Sequence, residues 1–381
     1  MYSARICYEL GGIMKKKLIF GMLALLAFLG ASITIYEVKT YRIDRPLELR
    51  LDVSGIKEAQ AAENAWGGVR QSVTWANANS SLIDSVLTGL NNAGFFQWPN
   101  GITVTRVNVS LGTFTGKIQL NKNASATYNI TCSACGSAQG FKHRLIIWRQ
   151  SDDAQALELY FNDYGDTTGS GALVIYRTQI LNPTQFNGSD TYVESWVVGS
   201  AGSRRQTYSW RDGPLASGGA TDRARIFLEE MDGGALLCVK AVIRLNSSTA
   251  SQISSSIPQC NTTPLYYTVA YGQKTASPFQ TTAKVAIWRS ADYGTASTLC
   301  GTAHNLDFGL FNGNGFIEDG VALGNVPSDF RSGSAINTLF SQIITDTGNA
   351  YENLRESDIT ALDATTVRFF SGATAPTGNS P

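Results

Sequence analysis

Apolar and polar residues alternate along much of this chain with a period of two. Leu47, Leu49, Leu51 and Val53 alternate with Glu48, Arg50 and Asp52, the pattern of a strand with one buried face. Ser54-Gly55 ends that run. The texture then becomes helical. Residues 56–69 are rich in Ala, Glu and Gln and predict a helix ended by Gly67-Gly68. Leu82, Ile83, Val86, Leu87 and Leu90 line one face of a second helix over 80–90, stopped by Asn91-Asn92-Ala93-Gly94.

Beyond Trp98 the pattern predicts strands at 102–111, 113–120, 128–131, 144–148, 157–161, 172–176, 192–198, 224–228, 236–245, 266–271 and 283–288. Turn-rich pieces at 165–171 and 213–219 separate some of them. Helical spacing returns around 336–344 and 352–362, and 372–381 reads as a loose tail. The chain divides accordingly into a mixed region (37–98), a β-rich head (99–322), a partly helical region (323–371) and the tail. The fold class expected is mainly β with a few helices, a β-sandwich or extended-sheet head. Ile147-Trp148-Arg149 is echoed by Ile287-Trp288-Arg289. Two related β units would give this echo, and so would two ordinary strand ends with a snorkelling arginine.

The N-terminus carries the one strong charge pattern. Lys15, Lys16 and Lys17 precede Leu18–Tyr36, nineteen residues without a charge, and Glu37, Lys39 and Arg42 follow. Residues 1–13 fit no structural role, and Met14 is an alternative start. The segment predicts export, with the lysines inside and the body outside. As a cleaved signal peptide it would be cut near Ala31-Ser32. As a membrane anchor it approaches the ~20 residues needed to span a bilayer, with Tyr36 and Tyr41 at the interface.

Composition supports a folded body and narrows its partners. Of 381 residues 43% are hydrophobic, enough for a core, and Lys plus Arg equals Asp plus Glu at 30 each. Without a global field, nucleic acid is not an expected partner. Two histidines, His143 and His304, leave little for acid–base catalysis near neutral pH. There is no Gly-x-Ser-x-Gly elbow, phosphate loop or His-Glu-x-x-His. Asp152-Asp153, Asp163 with Asp166, and Glu229-Glu230 with Asp232 are the carboxylates a secreted glycan hydrolase would draw on. Exposed acidic turns have the same pattern.

In an exported chain Cys238 and Cys260 are candidate disulfide partners, if the chain leaving Leu245 returns before Tyr266. Cys132 and Cys135 fit a tight disulfide, a redox pair or, with Cys300 and His304, a zinc site. Asp307, Asn312, Asn314, Glu318 and Asp319 surround glycines in the manner of a calcium loop, although an EF-hand alignment puts Leu310 and Val321 at two ligand positions. An Asn-Gly hairpin turn is the reading favoured over calcium for the same residues. No cofactor is otherwise implied. Asn-x-Ser/Thr sequons at Asn79, Asn108, Asn123, Asn129, Asn187, Asn246 and Asn261 are compatible with glycosylation.

The N-terminus resembles that of type IV pilin-related proteins, the larger minor pilins in particular. The matching residues are Lys15-Lys16-Lys17 to Gly21, Met22, the apolar run to Tyr36, and Ala61-Ala62-Glu63-Asn64-Ala65. The resemblance implies cleavage after Gly21, a mature chain starting at Met22, and a hydrophobic helix packed in a filament core. Leu26 stands where major pilins have an acid, and 47–53 alternates as a strand where a pilin helix would continue. The expectation is an exported, non-enzymatic structural or adhesive protein of a bacterial surface, meeting a protein, a glycan or neighbouring filament subunits. A pilin-like filament component and a secreted hydrolase are the alternatives.

Overall fold

The alternation read from the sequence is realised as one large sheet. The computed structural model describes residues 49, 51, 65–131, 138–163, 171–187, 190–199, 202–212, 222–245, 265–274, 280–289, 310–311, 317–318 and 369–380. In chain order the elements are helix α1 (Ala65–Asn92), a 3-10 turn (Phe95–Gln97), β1 (Ile102–Ser110), β2 (Thr115–Lys122), β3 (Tyr128–Thr131), β4 (Ala138–Phe141), β5 (His143–Arg149), β6 (Gln155–Phe161), β7 (Gly171–Arg177), the single turn α2 (Thr178–Leu181), β8 (Thr191–Val198), β9 (Arg205–Asp212), β10 (Arg223–Met231), β11 (Leu236–Leu245), β12 (Leu265–Lys274), β13 (Gln280–Arg289), β14 (Leu310–Phe311) and β15 (Ile317–Glu318). Eleven strands form one antiparallel meander in the order β1-β2-β5-β6-β7-β8-β9-β10-β11-β12-β13. The β3–β4 hairpin is inserted between β2 and β5, and β14 pairs with β15.

Each strand sends alternate side chains to two faces. The inner face carries Leu145 and Ile147 of β5, Leu157 and Leu159 of β6, Val174 and Tyr176 of β7, Tyr208 and Trp210 of β9, and Ile226 and Leu228 of β10, all in one core. Trp75, Leu82, Ile83, Val86 and Leu90 of α1 close it. Trp75 meets Trp210 edge-on, with ring centroids 5.1 Å apart. Leu49 and Leu51, from the predicted strand at 47–53, are both buried in this core.

The helix expected at 80–90 forms as part of α1, and the stop expected at Gly67-Gly68 is corrected: α1 runs without a break from Ala65 through both glycines to Asn92, while residues 56–64 of the first expected helix lie outside the described residues. Each glycine lowers helix propensity by about 1 kcal/mol without forbidding helical angles. The stripe that continues through Trp75 and Leu82 supplies the packing that overrides it. The predicted stop is where it was expected: Gly94 adopts a left-handed conformation, φ 76°, and its N–H bonds to the Asn91 carbonyl at 2.9 Å. In the sheet, β9 escaped prediction because its core-facing residues include Gln206 and its outward ones are Thr207, Ser209 and Arg211, all buried.

Close packing at the β1–β2 turn gives a test. A Cβ added at Gly116 would lie 2.5 Å from Leu111 Cδ1 and 2.8 Å from the Trp148 backbone oxygen. Gly116→Ala should therefore destabilise the protein by about 1–3 kcal/mol, although Gly to Ala within a strand ordinarily helps. Urea denaturation measures this, and an unchanged or raised midpoint would contradict the packing.

Candidate functional site

The outer face of the sheet holds a charge where an apolar residue would be expected. In β6 the run Ala156-Leu157-Glu158-Leu159-Tyr160-Phe161 carries one acid, and Glu158 is completely buried. Its cross-strand neighbours are Ile146 of β5 and Ile175 of β7. A carboxylate so placed must be fully hydrogen-bonded to be tolerated. Four donors reach it: the backbone N–H groups of Phe370 (2.8 Å) and Ser371 (3.0 Å), Gln155 Nε2 (2.8 Å) and the Tyr160 hydroxyl (3.3 Å). Burial, reinforced by the Glu158 charge, holds the Tyr160 phenol well above its ordinary pKa, so the hydroxyl keeps its proton and donates.

The two backbone donors, Phe370 and Ser371, stand directly before residues 372–381, the segment read from sequence as a loose tail. Phe369 and Phe370 pack with Phe141, Tyr160, Leu173 and Ile175, under a roof shared with Tyr128 and Ile130 of the β3–β4 hairpin. The chain then crosses β5, where Ala375 packs on Ile146 and Trp148, and reaches the sheet edge at β1. There Ser380 and Thr105 form a β-bridge, with Ser380 N donating to the Thr105 carbonyl at 3.1 Å. Thr105 N donates to Ser380 Oγ at 3.1 Å and Val107 N to Asn379 Oδ1 at 2.9 Å. Thr105, Gln119, Ile146 and Glu158 stand opposite one another in the registers of β1, β2, β5 and β6. The segment thus follows a single transverse row.

A second polar cluster lies where β2 and β5 meet the 3-10 turn. His143 is wholly buried, with Phe95 and Phe161 against its ring at centroid distances of 5.2 and 5.3 Å. Asn123 N–H donates to its Nδ1 at 3.3 Å, and its Nε2 lies 2.9 Å from Asp163 Oδ1. Burial works to raise the Asp163 carboxyl, but hydrogen bonds from Lys142 and His143 outweigh it and hold the group below its usual range. A carboxylate on one side and a backbone donor on the other fix the neutral Nε2–H tautomer. Burial lowers the His143 pKa, the Asp163 bond and charge oppose that, and Lys122 and Lys142 add to the lowering. Lys122 itself, driven down by burial, donates to the carbonyls of Phe96 (2.6 Å) and Trp98 (2.7 Å).

On the inner face a third network seats α1. Tyr176 OH donates to Asn79 Oδ1 at 2.8 Å, and Asn79 Nδ2 to Ser195 Oγ at 2.7 Å. Gln206 Nε2 reaches the same Ser195 Oγ at 3.1 Å and accepts from Ser80. Asn79 is a sequon residue from sequence, but its amide is buried in this network, which closes it to glycosylation in the folded state.

The other residues singled out from sequence are spread widely. Asp152 is paired with Arg149, at 2.8 Å and 2.5 Å through two nitrogens, and that bond lowers its pKa to about 2. Asp153 pairs with Lys117. Both precede β6, whereas Asp163 follows it, so the seven residues of that strand separate them. Glu229 pairs with Arg205 at 2.8 Å on β10, four strand spacings from β6 and so roughly 19 Å away. Glu230 accepts from Gly202 N at 2.7 Å, and Asp232 is exposed. A glycosidase pair needs about 5–9.5 Å.

Cys238 is buried on β11 opposite Glu229 and Gly272. It stands seven residues from Leu245, roughly 24 Å down the strand from the end where the chain leaves toward Cys260. Cys132, Cys135, Cys260, Cys300 and His304 lie outside the described residues, as do Asp166, Asp307, Asn312, Asn314, Asp319 and the processing candidates Gly21, Met22, Ala31 and Ser32. Glu318 is on β15, opposite Leu310 of β14. Among the described residues no three His, Cys, Asp or Glu side chains are grouped so that they could hold a metal ion.

Glu158 was missed by sequence reasoning, although a lone acid inside an apolar strand is a readable signal. The described residues define a mainly β protein, one eleven-stranded antiparallel sheet with two α-helices. No protein-family model, curated protein or solved structure matches the chain.

The His143 site predicts a pH dependence. Its folded pKa is below the ordinary 6.5, so the unfolded chain binds a proton that the fold resists. Its contribution to stability is complete above about pH 6.5 and is lost as pH falls below that value toward the folded pKa. Urea midpoints between pH 7.5 and 5 should fall more steeply for the native chain than for His143→Gln. Parallel curves would remove the buried neutral histidine.

Proposed function

We propose that the chain is an exported, non-enzymatic structural or adhesive protein of a bacterial surface, with the β-rich head carried outward by the segment Lys15–Tyr36. The observation that carries export is the basic cluster directly before nineteen uncharged residues. The non-enzymatic reading is supported by how the polar groups of the head are used. Glu158 ties the C-terminal segment to β6, Asn79 ties α1 to β7 and β8, and His143 with Lys122 ties the 3-10 turn to the sheet. Of the carboxylates a hydrolase would draw on, Asp152, Asp153, Asp163 and Glu229 are each paired with a neighbouring cation. Its partner would be a protein or glycan met by the surface of the head.

A filament component similar to the larger minor pilins is the second reading, favoured by Gly21-Met22 after the lysines. In it the apolar run forms a hydrophobic helix that packs among neighbouring subunits.

Mass spectrometry of the mature chain, together with protease shaving of intact cells, tests both. Shaving should release peptides of the head. A mature start at Ser32 or Ile33, or an intact apolar segment, fits the surface protein; a start at Met22 fits the filament component. A head protected from protease in intact cells and exposed only on lysis would contradict display at the cell surface.

A further inference from the structure

Residues 369–380 are held by a groove with the parts of a peptide-recognition site. Glu158 takes two consecutive backbone N–H groups, a contact that any peptide but one with proline at those positions can make. Selectivity comes from the slots around it: an aromatic pair enters beside Tyr160, Leu173 and Ile175, and a small residue sits on Ile146 and Trp148. The far end pairs with the edge of β1 through Ser380 and Asn379. Addition to a sheet edge, with side-chain pockets giving specificity, is a general mode of peptide capture.

We propose that this groove accepts the C-terminal segment of a second copy of the chain in place of its own, so that copies link by exchanging tails. The occupant is fixed by the groove itself, whose slots already match Phe369, Phe370, Ala375 and Ser380. The tether permits the exchange. Residues 319–368 separate β15 from the segment, a length whose upper reach is roughly 165 Å, against about 34 Å between β13 and β6. A segment on so long a connection is not confined to its own sheet by chain length. Exchange replaces every contact with an identical one, so copies brought close together need no new interface, and a tail passed from each copy to the next gives an open chain unless the rotation closes.

Cysteine trapping on full-length chains tests this. Thr105→Cys and Ser380→Cys occupy bridge-partner positions whose Cα spacing suits a disulfide. One chain carrying both should cross-link within itself, which checks that the segment sits at the β1 edge; no cross-link there overturns the groove. When one chain carries only Thr105→Cys and another only Ser380→Cys, a covalent pair should form that needs both substitutions. While dilute, its yield should rise roughly tenfold for a tenfold rise in concentration. Excess synthetic peptide of residues 369–381 should suppress it. A double variant that cross-links internally, beside a mixture yielding no more covalent pair than either single variant, would overturn the exchange.

Discussion

A sheet with apolar side chains on both faces must be covered on both, and this requirement organises the described structure. The inner face of the eleven-stranded meander is closed by α1 and by Leu49 and Leu51. The outer face over β5–β7 is closed by the β3–β4 hairpin and by residues 369–380. The second cover depends on Glu158, because a carboxylate between Ile146 and Ile175 is stable only while its donors are in place. The charge that would be a liability on an open face thereby selects one position for the segment above it.

The same device recurs at the other seams. Asn79 bonds to Tyr176 and Ser195 and sets how α1 lies on the sheet; sliding the helix by one turn would take the buried Tyr176 hydroxyl and the Asn79 amide away from these partners. His143 and Lys122 do this for the 3-10 turn. Apolar burial supplies the drive to cover the faces, and the buried polar contacts decide which arrangement does so. Tail exchange between copies would use the outer seam without altering it.

Much of the sheet was legible in the sequence because alternation with period two is a direct image of the pleat. The predicted run at 128–131 coincides with β3 and 236–245 with β11. What failed did so for identifiable reasons. In β9 polar side chains fill buried positions, so Gln206 and Thr207 masked the strand. In α1 the pair Gly67-Gly68 is overridden by tertiary packing. The C-terminal segment, with Gly372, Pro376 and Gly378, has no periodicity because it is held by a distant carboxylate and not by a ladder of its own. His143 and Asp163 were visible as residue types, but their partnership across twenty positions was not.

Amide hydrogen exchange at Phe370 and Ser371 tests the Glu158 contact most directly. With both N–H groups hydrogen-bonded to the carboxylate, exchange in the native chain should be slower than in an unstructured peptide by orders of magnitude, and Glu158→Ala should restore much of the peptide rate at these two amides while β7 and β8 stay protected. Peptide-like exchange at Phe370 and Ser371 in the native chain would contradict the account.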